Sequence, residues 1–352
     1  MTSTKIINID EVIMQSTGDK QKRKPTRSDV ALLAGVDKST VSRVMTGHKA
    51  ISQATRLKVL KVAEQIGYRP NALARILASQ RSRLIGVIIN SLWTGLQTEM
   101  FRHCQIAAED HGYQVLMCEA RADPGIQKAY IQRFVDLNVD GIVLIPIGGV
   151  EQMLARLSDT IPIVAMDNWV DVKGISQIRL DNFESMYRLT EYLAGMGHRH
   201  IGLIAGKKDE KISLARQSGF EAMLDSVGIT KRYIKHGEYL AHSGYRMGLE
   251  LLREHPQITA MVVMGTHATT GAMRAAADMG RRIPDTLSIV SFDDSSFLAE
   301  GIPPVTCIAQ PVEEIGRKAV EHLIQRLDHP DIAPAEFIME GRLIIRESCR
   351  RV

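Results

Sequence analysis

The sequence predicts a small all-α head joined by a short hinge helix to a larger two-lobed α/β body. Three observations carry this expectation. Residues 31–44 space small and apolar residues as two short helices meeting at a tight turn, basic charge is concentrated ahead of residue 85, and from Leu84 onward short apolar runs alternate with amphipathic stretches.

Residues 1–24 are polar, lack helical periodicity after Glu11 and end in the basic run Lys20, Lys22, Arg23 and Lys24. They read as a mobile basic extension, solvated and open to generic phosphate contact.

Residues 25–69 carry three helices. Ala31 lets the first two approach closely, Gly35 tolerates a left-handed turn, and Val36, Val41 and Val44 form the shared apolar seam. This is helix-turn-helix spacing. Asp37 is placed to cap the second helix. The polar remainder, Lys38, Ser39, Thr40, Ser42 and Arg43, falls at or near the start of that helix, where side chains meet base edges and phosphates in a major groove. The third helix runs from Ser52, a cap, to Ile66, with Gly67 as its stop and Leu57, Leu60, Val62, Ala63 and Ile66 as its apolar stripe. Lys49, Thr55 and Arg56 are placed to clamp a sugar-phosphate backbone, contacts that position rather than specify.

Charge supports the same reading independently. Residues 1–85 hold 16 Lys and Arg against 6 Asp and Glu, and the whole chain holds 44 against 40, so the remainder carries 28 against 34. A basic head on an acidic body attracts phosphate.

Residues 70–83 form the hinge. Pro70 and Asn71 open a helix of less than three turns, too short to be stable alone. If two copies meet over DNA, Ala72 and Ala74 permit close approach and Leu77 can wedge between base steps in the minor groove. Asn71, Ala74 and Leu77 therefore join the candidate DNA-contacting set. The alternative is a plain tether whose leucines pack on a neighbouring domain.

Residues 84–352 form the body. Strands are expected at Leu84–Ile89, Val115–Cys118, Gly141–Ile145, Ile163–Met166, Ile201–Ile204, Met261–Met264 and Ile289–Phe292, with helices between them, as in a parallel α/β sheet. About 270 residues of such alternation exceed one comfortable core, so two lobes with a cleft are expected, with ligand at the carboxyl ends of the strands.

Other functions find little support. The chain has no GxGxxG after a strand, no GxxxxGK(S/T) and no GxSxG, and Gly202 to Lys207 is one residue short of phosphate-loop spacing. His198-Arg199-His200 lacks a nearby carboxylate or Cys ligand and reads as a surface feature. Cys104, Cys118, Cys307 and Cys349 are isolated, so neither a disulfide framework nor a zinc site is expected. No catalytic residue, cofactor or metal is assigned. Without an apolar run of about 18 residues or a secretory signal, the expected location is the cytoplasm.

Several segments resemble the lactose-repressor and galactose-repressor family of bacterial transcription regulators. In the head these are Asp29-Val30-Ala31, Ala34-Gly35-Val36, Thr40-Val41-Ser42-Arg43-Val44, Gly67-Tyr68-Arg69-Pro70-Asn71 and Ala74-Arg75. In the body they are Gly197-His198-Arg199-His200-Ile201-Gly202, Arg216 through Gly219-Phe220, Ile283-Pro284-Asp285, Ser291-Phe292-Asp293-Asp294, and Gln310-Pro311 through Gly316. The resemblance spans about residues 25–346 and implies a structural role for His198-Arg199-His200. It implies a repressor-type regulator: a homodimer or tetramer on a near-palindromic double-stranded operator, with a body like the periplasmic sugar-binding proteins and no membrane partner.

By resemblance, Lys38 and Ser39 discriminate operators, Thr40, Ser42 and Arg43 support them, and Leu77 is the minor-groove lever. Arg216, Asp293 and Gln310 fall on effector-pocket positions, with chemistry suited to a sugar or sugar acid. The chain also departs from the family. Thr94-Gly95-Leu96-Gln97, preceded by Trp93, replaces the usual aromatics, and Gly265-Thr266 followed by His267 replaces an Asn-Asp. Trp93 and Trp169 complete the candidate effector set, Trp169 being either a stacking platform or a hydrophobic anchor. Lys207, Lys208 and Lys211 either favour an anionic ligand or form a solvated loop. Arg27 replaces an apolar residue, which implies a shifted start for the first helix. The rival functions are a cytoplasmic α/β enzyme or a sugar-binding protein with an accessory DNA-binding head.

Overall fold

The computed structural model describes residues 25–45, 50–68, 81–93 and 95–352. The expectations for residues 1–24, for Lys49 and for Asn71, Ala74 and Leu77 of the hinge lie outside the described residues. The chain divides into two compact units, residues 1–82 and 83–352.

The first unit contains α1 (Arg27–Ala34), α2 (Lys38–Met45) and α3 (Gln53–Gln65). Thr26 opens α1 with a capping box, its backbone N–H and hydroxyl both donating to the Asp29 carboxylate at 2.7 and 2.8 Å. Gly35 closes α1 at φ 60°, the left-handed value that a side chain would resist. Val30, Ala31, Ala34, Val41, Val44, Val59 and Ala63 form the buried centre. The stripe expected on α3 is shifted: Leu57 and Leu60 are 61% and 44% exposed, while Val59, Val62, Ala63 and Ile66 face the core. At 100° per residue, positions 59, 62, 63 and 66 share one face and 57 lies opposite it.

The second unit holds two sheets of six strands. In chain order its elements are β1 (Leu84–Ile89), α4 (Gly95–Asp110), β2 (Gln114–Glu119), α5 (Pro124–Asp136), β3 (Gly141–Leu144), α6 (Glu151–Leu157), β4 (Ile163–Asp167) and β5 (Ser176–Leu180). There follow α7 (Asn182–Gly195), β6 (Ile201–Ala205), α8 (Lys211–Ser226), β7 (Tyr233–His236), α9 (Ala241–Glu254), β8 (Ala260–Met264), α10 (Thr266–Asp278), β9 (Ser288–Phe292) and α11 (Ser296–Ala299). The chain ends with β10 (Thr306–Ala309), α12 (Val312–Asp328), β11 (Glu336–Met339) and β12 (Arg342–Ile344). Lobe 1 is the sheet β11-β5-β4-β3-β1-β2, parallel throughout, and lobe 2 is β12-β10-β9-β8-β6-β7, parallel except for β12. The central strands are buried on both faces, which explains their continuous apolar runs.

The chain crosses between lobes three times. It passes from β5 to α7, which packs in lobe 2, from β10 to α12, which packs in lobe 1, and from β11 to β12. Asp181, Gln310 and Gly341 therefore lie at the hinge. In lobe 2, α9 and α10 pack backbone to backbone: a Cβ on Gly271 would lie 1.9 Å from the Ala241 carbonyl oxygen, and one on Gly244 would lie 2.0 Å from that of Ala268. Only glycine fits there. Among the described residues, no helix is long and apolar enough to cross a membrane.

Candidate functional site

The head presents its polar residues on α2. Lys38, Ser39 and Arg43 are exposed, and Thr40 and Ser42 are half-buried beside the seam formed by Val41 and Val44. On α3, Thr55 and Arg56 are half-buried, and the Thr55 N–H donates to the Ser52 hydroxyl at 3.2 Å, fixing the start of that helix.

Between the lobes of the body lies a cleft of about 560 Å³, lined by the carboxyl ends of β1, β3 and β4 on one side and of β6, β8 and β9 on the other. That placement is the rule for open α/β sheets, where strand ends present backbone and side-chain polar groups to one crevice.

The floor belongs to lobe 2. Arg216 of α8 is buried; its Nε donates to Asn182 Oδ1 at 2.8 Å, its guanidinium lies 3.7 Å above the Phe292 ring, and its Nη1 is 3.9 Å from Asp293 Oδ2. Asp293, immediately after β9, accepts from Gln310 Nε2 at 2.7 Å. The side chains of Asn182 and Gln310, both beside hinge crossings, thus grip the ion pair from behind. The opposite wall bears Asp167, the last residue of β4, together with Asn168 and Trp169. Burial pushes the Asp167 carboxyl up to about 7, Asp293 across the cleft adds to the rise, and Arg216 opposes it. Glu210 and Tyr239 meet on the lobe 2 wall, where burial raises the Glu210 carboxyl above its usual range and the tyrosine partly offsets this.

Of the five effector candidates, Arg216, Asp293 and Trp169 line the cleft. The Arg179 guanidinium stacks 5.3 Å from the Trp169 ring. Trp93 does not line it: the indole is 86% exposed, on the loop ahead of α4. Gln310 also lies outside the lining and acts through Asp293. Gly265, Thr266 and His267 border the cleft. Lys211 and Lys207 are taken up by carboxylates, Lys211 donating to Asp171 of lobe 1 at 2.7 Å and Lys207 lying 3.9 Å from Glu238. His198 is buried rather than superficial, with its ring nitrogens 2.8 Å from Thr259 Oγ1 and 3.2 Å from the Arg350 carbonyl. Among the described residues no group of three His, Cys, Asp or Glu side chains could hold a metal ion.

Asp167 was missed as a site residue. Its signal was present in the sequence: like Asp293, it stands at the carboxyl end of a buried apolar strand.

Residues 26–71 match the model of bacterial regulatory proteins of the lacI family, and residues 190–349 match a periplasmic binding protein-like domain. The chain is 30% identical over 337 residues to the HTH-type transcriptional repressor CytR of Escherichia coli (strain K12), an alignment covering 94% of this chain and 98% of CytR. The chain belongs to the lacI family. It is a DNA-binding transcription regulator whose α/β body is an effector-binding domain. The HTH-type transcriptional repressor PurR of Haemophilus influenzae (strain PittEE) is 28% identical over 93% of this chain and 99% of that relative. The Lac repressor dimer bound to operator and the anti-inducer ONPF superposes with a TM-score of 0.83 at 26% identity, covering 93% of this chain and 99% of that one. The regulator CelR in complex with cellobiose gives 0.70 at 26% identity, with 92% and 99% covered.

Proposed function

We propose that this lacI-family regulator is a cytoplasmic repressor that binds a near-palindromic operator as a homodimer or larger assembly, under the control of an uncharged polyhydroxy effector, a sugar, held between the lobes. One observation carries the effector class: the cleft sets two buried carboxyl groups on opposite walls, Asp167 and Asp293, against one buried cation, Arg216. Such a lining accepts hydrogen bonds from hydroxyls and offers an anion no net positive charge. Lys207 and Lys211, the two lysines that line the cleft, are already paired with Glu238 and Asp171, which weighs against a sugar acid or phosphate. The solved CelR–cellobiose complex supports the same class.

In this reading Lys38 and Ser39 discriminate the operator, with Thr40, Ser42 and Arg43 in support, while Lys49, Thr55 and Arg56 clamp the backbone and Asn71, Ala74 and Leu77 engage the minor groove. Effector bound against Arg216 and Asp293 biases the lobe angle through Asn182 and Gln310. A coupling of about 1–3 kcal/mol changes operator occupancy roughly five- to 150-fold.

The test is a thermal-shift screen of the full chain against sugars, sugar acids, sugar phosphates and nucleobases, followed by operator retention assays with each hit. Stabilisation by a neutral sugar, lost in Arg216→Ala, is the expected result. Stabilisation by anions alone would overturn the effector class. Failure to prefer any genomic fragment over scrambled competitor would overturn the operator reading.

A further inference from the structure

Asp167 and Asp293 occupy equivalent places in the two lobes. β4 and β9 are each the third strand in their sheet order, flanked by β5 and β3 in one lobe and by β10 and β8 in the other. Asp167 ends β4 and Asp293 directly follows β9, with φ of 64° and 74°, a left-handed backbone that aspartate tolerates better than most residues. Both are buried, at 7% and 8% exposure, and both line the same cleft from opposite walls. Their support differs. Asp293 has the Gln310 amide at 2.7 Å and Arg216 at 3.9 Å. No side chain or backbone group among the described residues donates a hydrogen bond to the Asp167 carboxylate.

A buried acceptor with no donor and a like charge facing it is costly when ionised. We infer that Asp167 is the specificity-determining acceptor of lobe 1: it holds a proton while the cleft is empty and closed, and releases it to solvent when an effector donates hydrogen bonds to Asp167 and Asp293 together. The rise of its carboxyl to about 7 agrees with this geometry. With no ligand and no proton, the need to hydrate the ionised Asp167, together with its repulsion from Asp293, drives the lobes apart. A ligand without donors at both ends cannot replace the proton, and this selects against it.

The groups facing Asp167 from lobe 2 are Asp293 after β9 and Arg216 of α8. The same cleft is lined by Glu210 and Asp209 ahead of α8, Lys207 after β6, Lys211 at the start of α8, His267 on α10 and Glu151 on α6. His267 and Glu210 are the competing titratable groups, so the test must separate them from Asp167.

The inference builds on the effector reading of the cleft, but its test uses no ligand, so failure of one leaves the other standing. Spin labels at Lys128→Cys on α5 and Ala277→Cys on α10, both exposed, report lobe separation by double electron–electron resonance in the full chain. Cys118→Ser and Cys349→Ser remove the half-buried native thiols, and dilution with unlabelled protein isolates distances within one chain. The expected result is a short distance at pH 5.5 and a longer one at pH 8.5, with Asp167→Asn short at both and Asp293→Asn moving the midpoint to lower pH. A distance that ignores pH, or an Asp167→Asn response equal to that of the parent chain, would overturn the inference.

Discussion

Replacing Asp167 by Asn should stabilise the effector-binding unit at alkaline pH and leave it unchanged in acid. The side chain keeps its shape and loses its charge. The unfolded carboxyl releases its proton near 3.8, whereas the folded one, raised by burial and by Asp293, does so at about 7. The contribution of Asp167 to stability is therefore greatest below about pH 4, falls as pH rises between those values, and is level above them. Each tenfold change in proton affinity is worth about 1.4 kcal/mol, so the penalty for ionised Asp167 reaches at most about 4 kcal/mol. Opening of the lobes caps it, since a hydrated carboxylate no longer suffers burial. Both tryptophans, Trp93 and Trp169, lie in residues 83–352, so urea unfolding followed by tryptophan fluorescence reports this unit selectively. Asp167→Asn should gain up to about 4 kcal/mol at pH 8 and nothing at pH 4. An equal gain at both values, or none at pH 8, refutes the reasoning.

The remaining expectations concern the cleft, the packing and the head. As pH rises toward 7 the affinity for a neutral sugar effector should increase by up to about tenfold per pH unit in the parent chain and stay flat in Asp167→Asn, as measured by titration calorimetry. Arg216→Lys should abolish effector binding despite keeping the charge, because it loses the Nε bond to Asn182 and the stacking on Phe292; unchanged calorimetric affinity would contradict this. Gly271→Val should lower stability by about 1–3 kcal/mol or more in the same urea assay, because its Cβ meets the Ala241 carbonyl. Replacing Lys38 or Ser39 should change which operator is preferred, whereas Arg56→Ala should weaken all sequences alike and reduce the salt slope by about 1 in retention assays.

Much of the head was legible because helical periodicity is local. Gly35, Ala31 and the valine seam stand where their spacing put them, and Ser52 caps α3 as its hydroxyl suggested. Leu57 and Leu60 misled because apolar character alone does not assign a face, and Val59 closes the core instead. In the body, the strands buried on both faces announced themselves. β5, β7, β10, β11 and β12 did not: they are three to five residues long, and Ser176–Leu180, Tyr233–His236 and Glu336–Met339 mix polar with apolar residues. Trp93 illustrates the same limit, since an aromatic at the right distance along the chain can still point to solvent.

The sequence by itself determined the two-part organisation, the basic head, the exposed polar face of α2 and the doubly buried strands, because each depends on neighbours a few residues apart. Tertiary structure alone decided that Asp167 faces Asp293, that Gln310 and Asn182 stand behind the buried ion pair rather than in the cleft, and that Lys211 is taken up by Asp171 of the other lobe. The reason is physical. Periodicity records which side of an element avoids water, but the charges that share one low-dielectric crevice are chosen by a chain that crosses three times between lobes.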